Sequence, residues 1–102
     1  MARPRTEFQE KLEAILGSSN VYFQPPENTK IKYPAIVYNV DDIWDIFADN
    51  RPYRFEKGYM VTYIDRDPDS IVLAELHQFP MSSFVRHYAA DNLNHDVFMI
   101  YY

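Results

Sequence analysis

The stretch Tyr59-Met60-Val61-Thr62-Tyr63-Ile64-Asp65-Arg66-Asp67-Pro68-Asp69, continuing from Ser70 to Phe79, decides the reading of this chain. Its first six residues are β-branched or aromatic with one Met, the composition of a strand. Asp65 to Asp69 is a turn. Asp67 suits a helix N-cap, Pro68 the first helical position, and Asp69 the positive helix end. Val72, Leu76 and Phe79 then fall on one helical face, and Pro80 ends the run. A strand thus feeds a helix able to fold back over a sheet.

Working outward, Thr6 and Gln9 have the spacing of a capping box, followed by an apolar stripe of Phe8, Leu12, Ile15 and Leu16. Gly17 is a helix stop. Val21 to Phe23 is a short strand and Gln24 to Asn28 a loop, since consecutive prolines give a ladder no donors. Ala35 to Val40 is a second strand. Tyr53 to Asp65 is a long one, with a bulge expected at Gly58. Between them, Asp41 to Pro52 reads as a projecting loop in which Asp41, Asp42, Asp45 and Asp49 surround Ile43, Trp44, Ile46 and Phe47. Trp44 either projects as a partner anchor or folds down over the core. Ser82 to Ala89 is a further strand and Ala90 to His95 a polar turn. Asp96 to Tyr102 has no polar face, which fits a central strand or one covered by another subunit. The order predicts an α+β fold. One mostly antiparallel sheet carries the N-terminal helix and a second helix on one face, with a long projecting loop between two strands.

The chain's 102 residues predict one domain, 1–102, burying roughly 60–65% of its unfolded surface. With 47% hydrophobic residues it is not a disordered sequence. Nine Tyr and seven Phe exceed what one small core absorbs easily, so some are expected at interfaces. A net charge of −5 without a basic stripe argues against a free-standing nucleic-acid binder. No Cys is present, which excludes disulfides, thiolate metal sites and Cys nucleophiles. No apolar run has the length of a membrane span, so no membrane association is expected.

Chemistry is hard to find in these residues. His87, Asp91, His95 and Asp96 gather around one hairpin, but a metal needs convergent ligands, and turn residues explain them as well. His77 suits the negative end of its helix. The acidic loop lacks the Asp-x-Asp-x-Asp-Gly spacing of a calcium loop. Two glycines make no phosphate loop, and no nucleophile elbow or His-Glu-x-x-His is present. The expectation is a protein that is not an enzyme, without catalytic residues, cofactor or metal.

Lys32-Tyr33-Pro34-Ala35-Ile36-Val37-Tyr38 after a short first helix resembles the opening of tail completion (tail terminator) proteins of long-tailed bacteriophages. Ile64 to Ser70 and Arg86 to Asp96 resemble strings of phage and prophage proteins encoded among head–tail joining genes. The resemblance spans nearly the whole chain and rests on layout more than on a motif. It implies a structural virion protein made in a bacterial cytoplasm. Such a subunit forms a ring with copies of itself, typically a hexamer, at the head-proximal end of the tail tube. It would end tube polymerisation and join major tail tube protein to neck and connector proteins, with DNA passing through unbound. Neck or head-closure ring proteins of similar size are the alternative, and a small monomeric protein-binding module a second.

The residues that would serve such a ring are Ile43, Trp44, Phe47, Phe98, Ile100 and Tyr102 as a partner interface. Asp41, Asp42, Asp45 and Asp49 would form an acidic loop facing the lumen, where phosphates are repelled.

Overall fold

The computed structural model describes residues 4–48 and 51–102, and of 42–48 and 51–56 only the strand pairing. Helix α1 (Arg5–Leu16) leads into strand β1 (Val21–Phe23), β2 (Ala35–Ala48) and β3 (Arg51–Asp65). Helix α2 (Ile71–His77) then precedes β4 (Ser82–Ala90) and β5 (Leu93–Tyr101). The strands form one five-stranded sheet in the order β1-β2-β3-β5-β4. Only the β1–β2 pair is parallel. The α+β architecture expected from the sequence is therefore the one observed.

Both helices pack on one sheet face. Phe8 and Leu12 of α1, and Val72 and Leu76 of α2, join Ile36, Tyr38, Tyr59, Val61, Tyr63, Phe98, Ile100 and Tyr102 in one buried cluster. Alternation explains the membership. Ile36 and Tyr38, Tyr59 to Tyr63, and Phe98 to Tyr102 each lie at every second position, so one face of each strand points at the helices. Phe8 sits at the centre, with ring centroids 4.7 Å from Tyr59, 5.0 Å from Tyr102, 5.5 Å from Tyr38 and 5.6 Å from Phe79. Much of the aromatic surplus is thus consumed inside the chain.

Local signals place the helices with two adjustments. Helix α1 starts at Arg5 behind Pro4, which makes no side-chain cap, so Thr6 is already helical. Gln9 works across the fold instead, donating to the Val21 carbonyl at 3.0 Å and accepting from the Tyr38 hydroxyl. Arg5 also donates to Tyr38 at 2.9 Å and lies 4.5 Å over the Phe23 ring. Gly17 ends α1 with φ 77°, the left-handed geometry that glycine adopts at least cost. In α2 the N-cap is Ser70, whose Oγ accepts from the Val72 N–H at 3.2 Å. Asp67 accepts from the Asp69 N–H at 2.9 Å and shapes the turn before it. Asp91 and Asn92, at φ 53° and 67°, make the two-residue turn between β4 and β5, the geometry that matches strand twist.

The stretch expected to be a projecting loop, Asp41 to Pro52, is strand as far as Ala48 and again from Arg51. Asp42 pairs with Gly58, Trp44 with Glu56 and Ala48 with Arg51. A bulge does fall beside Gly58, but its extra residue is on the partner strand: Asp41, between Val40 and Asp42, which pair with Tyr59 and Gly58 in the middle of β3. Ile43, Trp44, Ile46, Phe47, Tyr53 and Phe55 are strong strand formers, and this outweighs the acids read as caps and loop residues. Strand β1 pairs with β2 only at 36–38, and β5 with β3 only at 58–65. From Ile43 onward, among the described residues, the two long strands pair with each other alone, forming an arm. Its six residues from Ile43 to Ala48, at ~3.4 Å each, give a reach of about 20 Å.

Candidate interaction surface

At the opposite margin of the sheet, β4 pairs only with β5. Eight of its nine residues are exposed, including Phe84 at 49%, Val85 at 47% and Tyr88 at 40%. Sheet margins that long and apolar are templates for another chain. Among its residues Arg86 and His87 are basic and none is acidic.

Between β4 and α2 lies an open groove of about 540 Å³, lined by Leu73, Ala74, His77, Phe84, Asp96 and Phe98, with Gln78 at its end. The volume falls within the range of ligand or side-chain docking pockets. Phe84 rests edge-on against Phe98 at 5.4 Å and makes one wall. Helix α2 supplies the other, because Val72 and Leu76 point into the core and turn Leu73, Ala74 and His77 outward to the groove. At the groove floor Asp96 is 6% exposed, the one charged residue of the core among the described residues. Its Oδ1 lies 2.6 Å from His87 Nδ1, a bond that satisfies a carboxylate otherwise costly to bury.

The hairpin cluster singled out in the sequence divides here. His87 and Asp96 meet on the helix side. His95 lies on the other side, stacked 4.6 Å from Tyr88, with its Nδ1 3.2 Å from the Leu93 carbonyl. Asp91 serves the turn. No group of three His, Cys, Asp or Glu could hold a metal ion among the described residues. His77 is in the last turn of α2, as its dipole argument requires, and also borders the groove.

The expected partner residues Phe98, Ile100 and Tyr102 are corrected by burial: they are 2%, 0% and 6% exposed in the chain's own core. Strand β5 is central, with β3 on one side and β4 on the other. Its central place accounts for the helix-facing Phe98, Ile100 and Tyr102, but burial on both sides does not hold: Met99 and Tyr101 on the other face are only half-buried. The neighbouring β4, read only as a strand, holds the exposed apolar residues. Its adjacent Phe84-Val85, followed by Arg86-His87-Tyr88, carried the signal: apolar and basic residues without core-facing alternation mark an edge. Asp41 is exposed at the bulge. The side chains of Asp42, Ile43, Trp44, Asp45 and Phe47, and all of Asp49, lie outside the described residues.

Electrostatic perturbation is concentrated under the helices. Burial pushes the Tyr38 and Tyr59 hydroxyls above the ordinary tyrosine range, for Tyr38 against the opposing pull of Arg5. Tyr63 is raised further, by burial first and then by its hydrogen bond to Asp65. It also donates to Ser70 at 2.9 Å. The Tyr38 hydroxyl ties Arg5 and Gln9 of α1 to the sheet, and the Tyr63 hydroxyl ties the Ser70 cap of α2 to it. The Tyr59 hydroxyl and Ser82 Oγ are buried without a hydrogen-bond partner. No helix among the described residues is long and apolar enough to cross a membrane.

No protein-family model matches this chain, and no curated protein matches its sequence.

Proposed function

We propose that this protein is a structural ring subunit of a phage virion, of the tail terminator or tail completion kind. It sits at the head-proximal end of the tail tube, ends tube polymerisation and joins the tail to the neck. Copies of itself, the major tail tube protein and neck or connector proteins are its partners. DNA passes the ring without being bound, and no catalytic step is assigned to any residue.

The observation that carries this reading is a pair of unlike features at separate places on one small chain: a projecting two-stranded arm and an exposed apolar sheet margin. A ring needs a head-to-tail contact between two different patches, repeated by rotation until it closes. A net charge of −5 suits a channel for DNA, because acidic walls repel phosphates. Asp41, Asp42, Asp45 and Asp49 are the acids proposed to face the lumen or an adjoining ring. The same features serve a neck or head-closure ring, which is the second reading. The apolar groove favours a third, a monomeric module that binds one protein partner.

Sedimentation and electron microscopy of the protein, alone and with major tail tube protein, test the proposal. Rings, or tube ends capped by the protein, are expected. A protein that remains monomeric in both conditions, with no affinity for tubes, overturns it. Capping of tubes selects the terminator; binding only to connector proteins selects the neck.

A further inference from the structure

We propose that the groove between α2 and β4 seats a basic side chain of a partner protein, arginine before lysine, with its charged end on Asp96 and its stem along the apolar walls. The inference rests on the reading of this chain as one that binds other proteins, and it is independent of ring formation. Asp96 is 6% exposed and lines the groove. Its Oδ1 is engaged by His87 Nδ1 at 2.6 Å, and no other group among the described residues bonds to the carboxylate. Its Oδ2 is therefore unpartnered. Yet it is not one of the polar atoms sealed from the surface, which are the Tyr59 hydroxyl and Ser82 Oγ. It opens on the groove instead. A carboxylate oxygen held in apolar surroundings without a donor is costly, and a cationic donor relieves that cost most.

Among the described residues the chain supplies no such donor. No Lys or Arg lines the groove. Arg86, next to His87 in sequence, lies 5.4 Å over the Tyr88 ring, and Tyr88 stacks on His95 at the other face of the sheet. His87, donating Nδ1–H as a neutral imidazole, leaves the pair with the single negative charge of the carboxylate. Leu73, Ala74, Phe84 and Phe98 around it are uncharged. The charge thus selects a cation, and the walls select one with an apolar stem. Arginine and lysine lay their methylenes on apolar surface and keep the head for a polar partner. Arginine fits better, because its guanidinium is weakly hydrated and also stacks on aromatic faces. The groove is open, so a free amine would stay half in water. A polypeptide brings its own backbone across the opening, beside the margin of β4 that has no partner strand among the described residues.

The test titrates isotope-labelled protein with the capped peptide Leu-Val-Arg-Val-Leu and follows amide shifts by nuclear magnetic resonance. Shifts centred on α2, β4 and Asp96 are expected. Citrulline in place of the peptide's arginine keeps the shape without the charge and should weaken binding by about tenfold or more. Glutamate there should abolish it. In the protein, Asp96→Asn should bring the arginine peptide down to the citrulline level. Ala74→Phe, at an exposed helix position in the groove wall, fills the groove without touching the core and should remove binding of every peptide. If Asp96→Asn does not fold, the citrulline ratio and Ala74→Phe decide. Citrulline or glutamate peptides that bind as tightly as the arginine peptide overturn the inference. So does unchanged binding in a folded Asp96→Asn or in Ala74→Phe, and so does an absence of shifts at millimolar arginine peptide. Ring formation is read separately by sedimentation. Rings without peptide binding remove this inference alone, and peptide binding without rings removes the ring alone.

Discussion

Truncating Phe8 to alanine probes how the first helix is held. Phe8 is fully buried, and only it and Leu12 of α1 are completely so. Burying a Phe side chain contributes about 1.5–3 kcal/mol. Its ring also meets four aromatic neighbours at 4.7–5.6 Å. Such pairs add about 0.5–1.5 kcal/mol each when isolated, and less when they share one ring. Removing the ring leaves a cavity bounded by both helices and the sheet, so collapse around it is restricted. The expected loss is about 4 kcal/mol, inside the ~3–5 kcal/mol usual for Phe→Ala in a core. For a domain of this size that is a drop in Tm of roughly 15–30 °C. Urea unfolding followed by far-ultraviolet circular dichroism measures it, with Ile15→Ala, only partly buried, as the control expected to lose less. A Phe8→Ala loss under ~1 kcal/mol, or one no larger than that of Ile15→Ala, would refute the placement of α1 on this core.

Ser70→Ala removes the cap on the Val72 N–H and one partner of the Tyr63 hydroxyl, and should cost about 1 kcal/mol, read by the same unfolding curves. Gly17→Ala meets open space but keeps φ at 77°, so about 1 kcal/mol is lost to backbone strain, with Gly17→Asn milder; an unchanged denaturation midpoint would contradict the left-handed cap. Tyr38, Tyr59 and Tyr63 have folded pKa values raised above the unfolded value, so the unfolded chain loses protons first as pH rises through about 10. Their stabilising contribution is full below that pH and is lost progressively above it. Phenolate absorbance should show these three ionising only with the unfolding transition, and a reversible titration of all nine tyrosines in the folded protein would exclude it.

The parts of the fold that were legible have short-range physical causes. The Tyr59–Ile64 strand, the Phe8/Leu12 stripe and the Gly17 stop are each dictated by residues a few positions apart; the turn expected over Ala90 to His95 is only Asp91-Asn92, because Leu93 to His95 pair with β4 as part of β5. Where two local signals competed, the sequence misled. Asp67-Pro68 and Ser70 are both good helix starts, and Ser70 wins because Tyr63 from the sheet bonds to it. Asp41, Asp42 and Asp45 suit caps and loops, yet they lie in a strand whose partner is only a few residues farther on. The docking margin was illegible for another reason. Both Phe98 and Phe84 are aromatic and strand-borne, and only strand order decides that the first is covered and the second is not. His87 and Asp96 were noticed together, but the opposite fate of His95 follows from register alone.

Strand order also constrains how the molecule can be made. Because β5 is synthesised after β4 but inserts between β3 and β4, a nascent chain has no way to zip its sheet in the order of translation. The β2–β3 hairpin can form early from nearby residues, whereas β4 must wait unpaired for the segment that follows it. Until residues 93–101 emerge, two raw sheet borders are open to other polypeptides on the same polysome. Closure then comes in one late step that delivers Phe98 and Ile100 beneath both helices at once, so folding is gated by the arrival of that single segment.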